Sequence, residues 1–164
     1  MTPASFGIVM ATGIVSLACS KLDLPIVARW LFFLNVVLYG LMWLLLALRL
    51  LRHPGRVLAD LRDHARGPGF FTVVAATSVL GAQFVVLLGP GTVSLALWWL
   101  AAGLWLVLTY AIFAALTVKE DKPPFHRGIN GGWLLTVVAT QSLTVLGALL
   151  VPAMPPGTPS TRST

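Results

Sequence analysis

Five apolar stretches, at residues 4–20, 26–48, 69–88, 93–118 and 129–151, occupy most of this 164-residue chain. Each is long enough, or nearly so, to cross a hydrocarbon layer that takes roughly 20 residues of helix. In lipid every backbone N–H and C=O must be satisfied internally, so helices are the form open to such segments. The predicted fold class is an all-α membrane protein with five transmembrane helices, the first the shortest. A composition of 57% hydrophobic and 10% charged residues excludes an ordinary soluble domain. A membrane domain is expected over 1–152, with a polar Pro/Ser/Thr tail over 153–164.

The formal charge of +6 resolves into an orientation signal once the basic residues are placed. Arg49, Arg52, Arg56, Arg62 and Arg66 belong to the second connection, and Lys119, Lys122 and Arg127 to the fourth. Lys21 and Arg29, the latter near the start of the second span, count with the first connection, and Arg162 lies in the tail. Placing the second and fourth connections in the cytoplasm puts eight basic residues inside and three outside. The N-terminus is then inside and the C-terminus outside, in a multi-pass protein expected in the bacterial inner (plasma) membrane. Read this way the charge calls for no nucleic-acid partner, and the lipid bilayer is the expected surroundings.

Three apolar strings recur: IVMAT ending at Thr12, VVAAT ending at Thr77 and TVVAT ending at Thr140, with the threonines 65 and 63 residues apart. Aromatic residues precede each copy: Phe6, then Phe70 and Phe71, then Trp133. A repeat that spans two crossings returns each copy in the same orientation, as in transporters built from parallel repeats. The odd spans are rich in small and hydroxyl residues. Ser5, Thr12, Ser16 and Ser20 share a face in the first, and Trp133, Thr136, Thr140, Thr144 and Gly147 in the fifth. The third carries Thr72, Thr77, Ser78, Gly81 and Gln83 in a less tidy pattern. The even spans are rich in leucine and aromatic residues, with Asn35 as the strongly polar residue of the second and Trp98, Trp99, Trp105 and Tyr110 in the fourth. A helix apolar all round faces lipid, whereas one with a polar stripe faces protein or water, so odd helices are expected inside and even helices outside.

Phe6, Thr12, Ser16, Phe71, Thr77, Trp133, Thr136 and Thr140 are accordingly the candidate pore-lining residues. Close helix packing also selects small and hydroxyl residues, and that alternative stands beside the lining role. No ionisable residue is placed deep in the membrane, which argues against a proton relay, a charge-paired substrate site or a voltage-sensing helix. An uncharged path suits conduction of small anions past hydroxyls and helix dipoles. Glycine and proline at the starts of the odd helices, in Gly67-Pro68-Gly69 and Gly131-Gly132, expose backbone N–H groups or simply end the loops.

His53, His64 and His126 fall in loops without the partners a metal site needs. No nucleophile–base pair or phosphate-binding loop stands out, so neither an enzyme nor a cofactor nor a metal is expected. The single cysteine, Cys19, excludes an internal disulfide. Its context, Ser16-Leu17-Ala18-Cys19, loosely resembles a lipoprotein cleavage site, but no basic region precedes it and a retained helix is expected.

The segments FGIVMATGIVS, RGPGFFTVVAATSVLGAQF and GINGGWLLTVVATQSLTVLGALL resemble the tellurite-resistance/C4-dicarboxylate transporter family, which includes malic acid permeases and the slow anion channels of plant guard cells. The resemblance covers roughly residues 3 to 151. It implies ten helices in five hairpins around a quasi-five-fold pore, with odd helices inside and even helices outside. It also implies passage of small anions or dicarboxylates, commonly in a homotrimer with one pore per subunit. Five spans are about half that length, and the gating phenylalanine of the family belongs to a ninth helix. The expectation is therefore an N-terminal half, inactive alone and completed by a missing C-terminal half if the protein is split. Two copies would supply six inner and four outer helices, an awkward substitute for five of each. The competing class is a non-transporting five-helix interaction or assembly subunit.

Overall fold

The computed structural model describes residues 3–61, 63, 66–118 and 133–151. The chain enters through a 3-10 turn, Pro3–Phe6, into helix α1 (Gly7–Lys21). A short reversal follows, with Asp23 in the left-handed region at φ 55°, where aspartate is among the better-tolerated residues. Helix α2 (Pro25–Arg52) begins with proline in its first turn, where the missing N–H would have no intrahelical partner. Helix α3 (Pro54–Leu61) is a short piece lying between two spans. A second 3-10 turn, Gly67–Phe70, leads into α4 (Phe71–Leu88).

Helix α4 ends at Gly89, whose φ of 91° is open to glycine at little cost. Only Gly89, Pro90 and Gly91 separate it from α5 (Thr92–Val118). Ser94 closes that turn, its Oγ donating to the Gly91 carbonyl at 2.8 Å and accepting from the Gly91 N–H at 3.1 Å. Helix α6 (Leu134–Leu150) completes the set, which contains no strand among the described residues. Expectations placed on the connection 119–132 and on the tail from 152 onward lie outside the described residues.

Among the described residues each of the five expected spans contains a helix, four of them long and apolar enough to cross a membrane and α6 a shorter apolar helix of 17 residues. Helix α3 stands where the sequence predicts only a loop. Asp60 holds it in place: its carboxylate, 6% exposed, takes hydrogen bonds from Arg49 at the end of α2 and from Arg66 at 2.9 Å. Burial pushes the Asp60 pKa up, but the Arg66 and Arg49 hydrogen bonds outweigh that and hold it below the ordinary carboxylate value.

Helix α4 is the centre of the arrangement. It packs against α1, α5 and α6, and more lightly against α2, while α2 lies mainly on α1. Two-thirds (67%) of its apolar window is buried, against 22%, 17% and 11% for α1, α2 and α5. The three odd spans thus form a row, α1–α4–α6, with α2 packed mainly on α1 and α5 on α4 and α6. Close approach is achieved through small residues. A Cβ on Gly13 would lie 2.5 Å from Val79 Cγ1, and one on Gly81 2.5 Å from Leu146 Cδ2. The large side chains left exposed on α2 and α5, among them Trp30, Phe33, Trp99 and Tyr110, suit a lipid surrounding.

Candidate functional site

The eight candidate lining residues fall into two groups on either side of α4. On the α1–α2 side, Phe6 is 1% exposed and sits edge-on to Tyr39 and Trp43, with ring centroids 6.4 and 6.0 Å away. Ser16 is buried, and its hydroxyl donates to the Ala28 carbonyl of α2 at 2.8 Å. Thr12 is half-buried. Thr77 is buried on α4, where its hydroxyl donates to the Val73 carbonyl at 2.7 Å and meets the Tyr39 hydroxyl at 2.9 Å.

On the other side, Phe71, Thr136 and Thr140 border an open cleft of about 280 Å³ with Trp105, Thr109, Phe113, Val137 and Gln141. Trp133 stands at the start of α6 with its ring 6.5 Å from that of Phe113. Phe71 itself is buried in an apolar cluster with Val74, Ala101, Ile112 and Ala139. Thr140 accepts a hydrogen bond from the Trp105 indole N–H at 2.9 Å. The structure therefore brings Phe71, Thr136 and Thr140 together and keeps Phe6, Thr12 and Ser16 apart from them.

Most hydroxyl protons in these helices are already engaged by backbone. Thr136 donates to Trp133 O, Thr140 to Thr136 O, Ser142 to Val138 O and Thr144 to Thr140 O, at 2.7 to 3.0 Å. Such back-bonding lets a hydroxyl sit in an apolar helix without an orphaned donor. The Thr12 and Thr109 hydroxyls and the Gln141 amide have no partner among the described residues.

A buried polar junction joins α1, α2 and α4. Asn35 Nδ2 donates to Gln83 Oε1 at 2.6 Å, and both side chains are fully buried beside Gly13. The sequence marks Asn35 and Gln83 as odd polar residues in apolar helices, yet with 48 positions between them nothing local pairs them. Tyr39 and Trp105 stand out in the sequence only as members of aromatic-rich outer helices. Their hydroxyl and indole contacts depend on tertiary packing.

With helices of this type in this order, the chain matches the SLAC1 voltage-dependent anion channel family from residue 1 to residue 163. The chain belongs to the voltage-dependent anion channel family. Two uncharacterized transporters of Methanocaldococcus jannaschii are also similar to it. One is 27% identical over 156 residues, covering 90% of this chain and 44% of the relative. The other is 29% identical over 161 residues, covering 92% and 44%. The chain thus spans about half the length of the curated relatives it matches. No solved structure matches the chain. Membership in a voltage-dependent anion channel family agrees with the resemblance read from the repeated segments, and that family is one of channels.

Proposed function

We propose that this chain supplies the inner helices α1, α4 and α6 of one half of an anion pathway, completed by helices outside it. The observation that carries this reading is the row α1–α4–α6, whose end members leave broad faces unpacked while α4 is enclosed. Thr140, Gln141 and Thr144 are exposed on α6, and a polar strip on a membrane helix favours water or another helix over lipid. Thr12 is the repeated threonine with a hydroxyl proton unclaimed among the described residues, so it is the one able to donate to an anion. Small anions or dicarboxylates are the substrates, and the second and fourth connections face the cytoplasm of a bacterial inner membrane. Any voltage dependence arises without a row of basic residues in the described spans, since such a row is what a charge-moving sensor helix carries.

Anion flux into liposomes tests the reading. The chain alone is expected to give no selective flux, and co-reconstitution with the remaining half, as found in its longer relatives, is expected to restore it. In the restored protein Thr12→Val, which deletes the hydroxyl at nearly constant shape, is expected to lower flux several-fold with assembly intact. Selective anion current from the chain alone would overturn the half-pathway reading. Absence of flux from the completed assembly would favour a non-transporting subunit.

A further inference from the structure

Thr77 and Thr140 occupy equivalent positions of the repeat, and the structure gives them equivalent partners. Each hydroxyl has one proton, and each proton goes to the carbonyl four residues back, Val73 O at 2.7 Å and Thr136 O at 2.9 Å. Each oxygen also meets an aromatic polar group on the preceding outer helix: Tyr39 of α2 for Thr77 and Trp105 of α5 for Thr140, both at 2.9 Å. Because the Thr77 proton is taken, the Tyr39 hydroxyl is the donor there. An indole N–H can only donate. The two bonds therefore have the same sense, outer aromatic to inner threonine. The sequence separations are close as well, 38 residues for one and 35 for the other.

The geometry points to Thr77 and Thr140 as latch points rather than anion contacts, with Tyr39 and Trp105 as positioning residues that fix how α4 and α6 are rotated against the outer helices. This rests on the inner–outer reading above. An anion needs a donor, and neither hydroxyl has a proton left to give. The oxygen lone pair that remains usable is the one the aromatic group takes. A valine in place of either threonine keeps the shape and loses only the acceptor, while serine keeps the acceptor, so the two substitutions separate latching from packing.

The test uses the whole chain, purified in detergent micelles and labelled with ¹⁵N on its indole nitrogens. In Thr140→Val the Trp105 indole resonance is expected to shift, and in Thr140→Ser to return toward its wild-type position. For the other latch, Tyr39→Phe and Thr77→Val are each expected to lower the thermal midpoint by about 2–4 °C. The double variant should fall little further than the worse single, because both remove the same bond. An indole resonance indifferent to Thr140→Val, or fully additive losses at the Tyr39–Thr77 pair, would overturn the proposal. Neither readout involves transport, so a failure here is distinct from a failure of the pathway reading.

Discussion

At Gly13 three helices converge on the space one methyl group would need. A Cβ there would lie 2.5 Å from Val79 Cγ1, 2.9 Å from Asn35 Nδ2 and 3.2 Å from Gln83 Oε1. Val79 is β-branched and stiff, and the two amides are bonded to each other, so none yields easily. Gly13→Ala is expected to cost about 1–3 kcal/mol, the range of overpacked cores. Gly81→Ala meets the end of the Leu146 side chain, which can change rotamer, and should cost less. Gly40, where an added methyl would meet nothing within 4 Å, is the control, and its alanine variant should be neutral or slightly more stable. Thermal midpoints of the three variants check the order. The sequence shows Gly13 only as one small residue in a span rich in them. Its importance comes from Asn35, Val79 and Gln83, which arrive from two other helices.

Among the elements, α4 and α3 mark the two ends of what can be read from sequence. The small and polar residues of α4, Thr72, Thr77, Ser78, Gly81 and Gln83, make no clean stripe because the helix packs against several neighbours and needs small or polar contacts toward them. An untidy pattern in an apolar span is thus itself the signature of an enclosed helix. Helix α3 leaves no such trace. Its eight residues put Val57, Leu58 and Leu61 on one face, a segment too short to register as a span, and what ties it to its neighbours is the Arg49–Asp60–Arg66 cluster together with Leu61 packing on the Phe71 cluster. Asp60→Asn should raise amide exchange across α3 about tenfold, the loss expected for one charge-assisted bond. Arg49→Gln should do more than Arg66→Gln, since the Arg49 side chain is 20% exposed and that of Arg66 64%. Because the folded Asp60 pKa is lowered, its stabilisation is full above the ordinary carboxylate value of about 4 and is lost as pH falls through the lowered folded value. Exchange protection of α3 should therefore be flat from neutral pH down to about 5 and fall away well below 4.

For the molecule as a whole, the five apolar spans follow from run length and polarity, both local properties of the sequence. The pairing of particular side chains does not, because Tyr39 with Thr77 and Trp105 with Thr140 are set by how the helices rotate on packing. The basic residues make a prediction at this scale. With Cys19 replaced, a cysteine placed between Arg52 and Arg66 should resist a membrane-impermeant thiol reagent in intact cells, while one near Thr158 should react. The reverse pattern would invert the proposed orientation.

The three-residue join at Gly89, Pro90 and Gly91 ties α4, the most enclosed helix, to α5, one of the least enclosed. With Gly89 at φ 91° and Ser94 bonded back to Gly91, little slack remains between them. The innermost helix cannot shift without dragging along a neighbour whose Trp99, Val107 and Tyr110 project outward. If those side chains sit among acyl chains, any opening or closing beside α4 is mechanically loaded by the bilayer. Its rate should then track lipid thickness and fluidity even though two-thirds of α4 is buried within the protein.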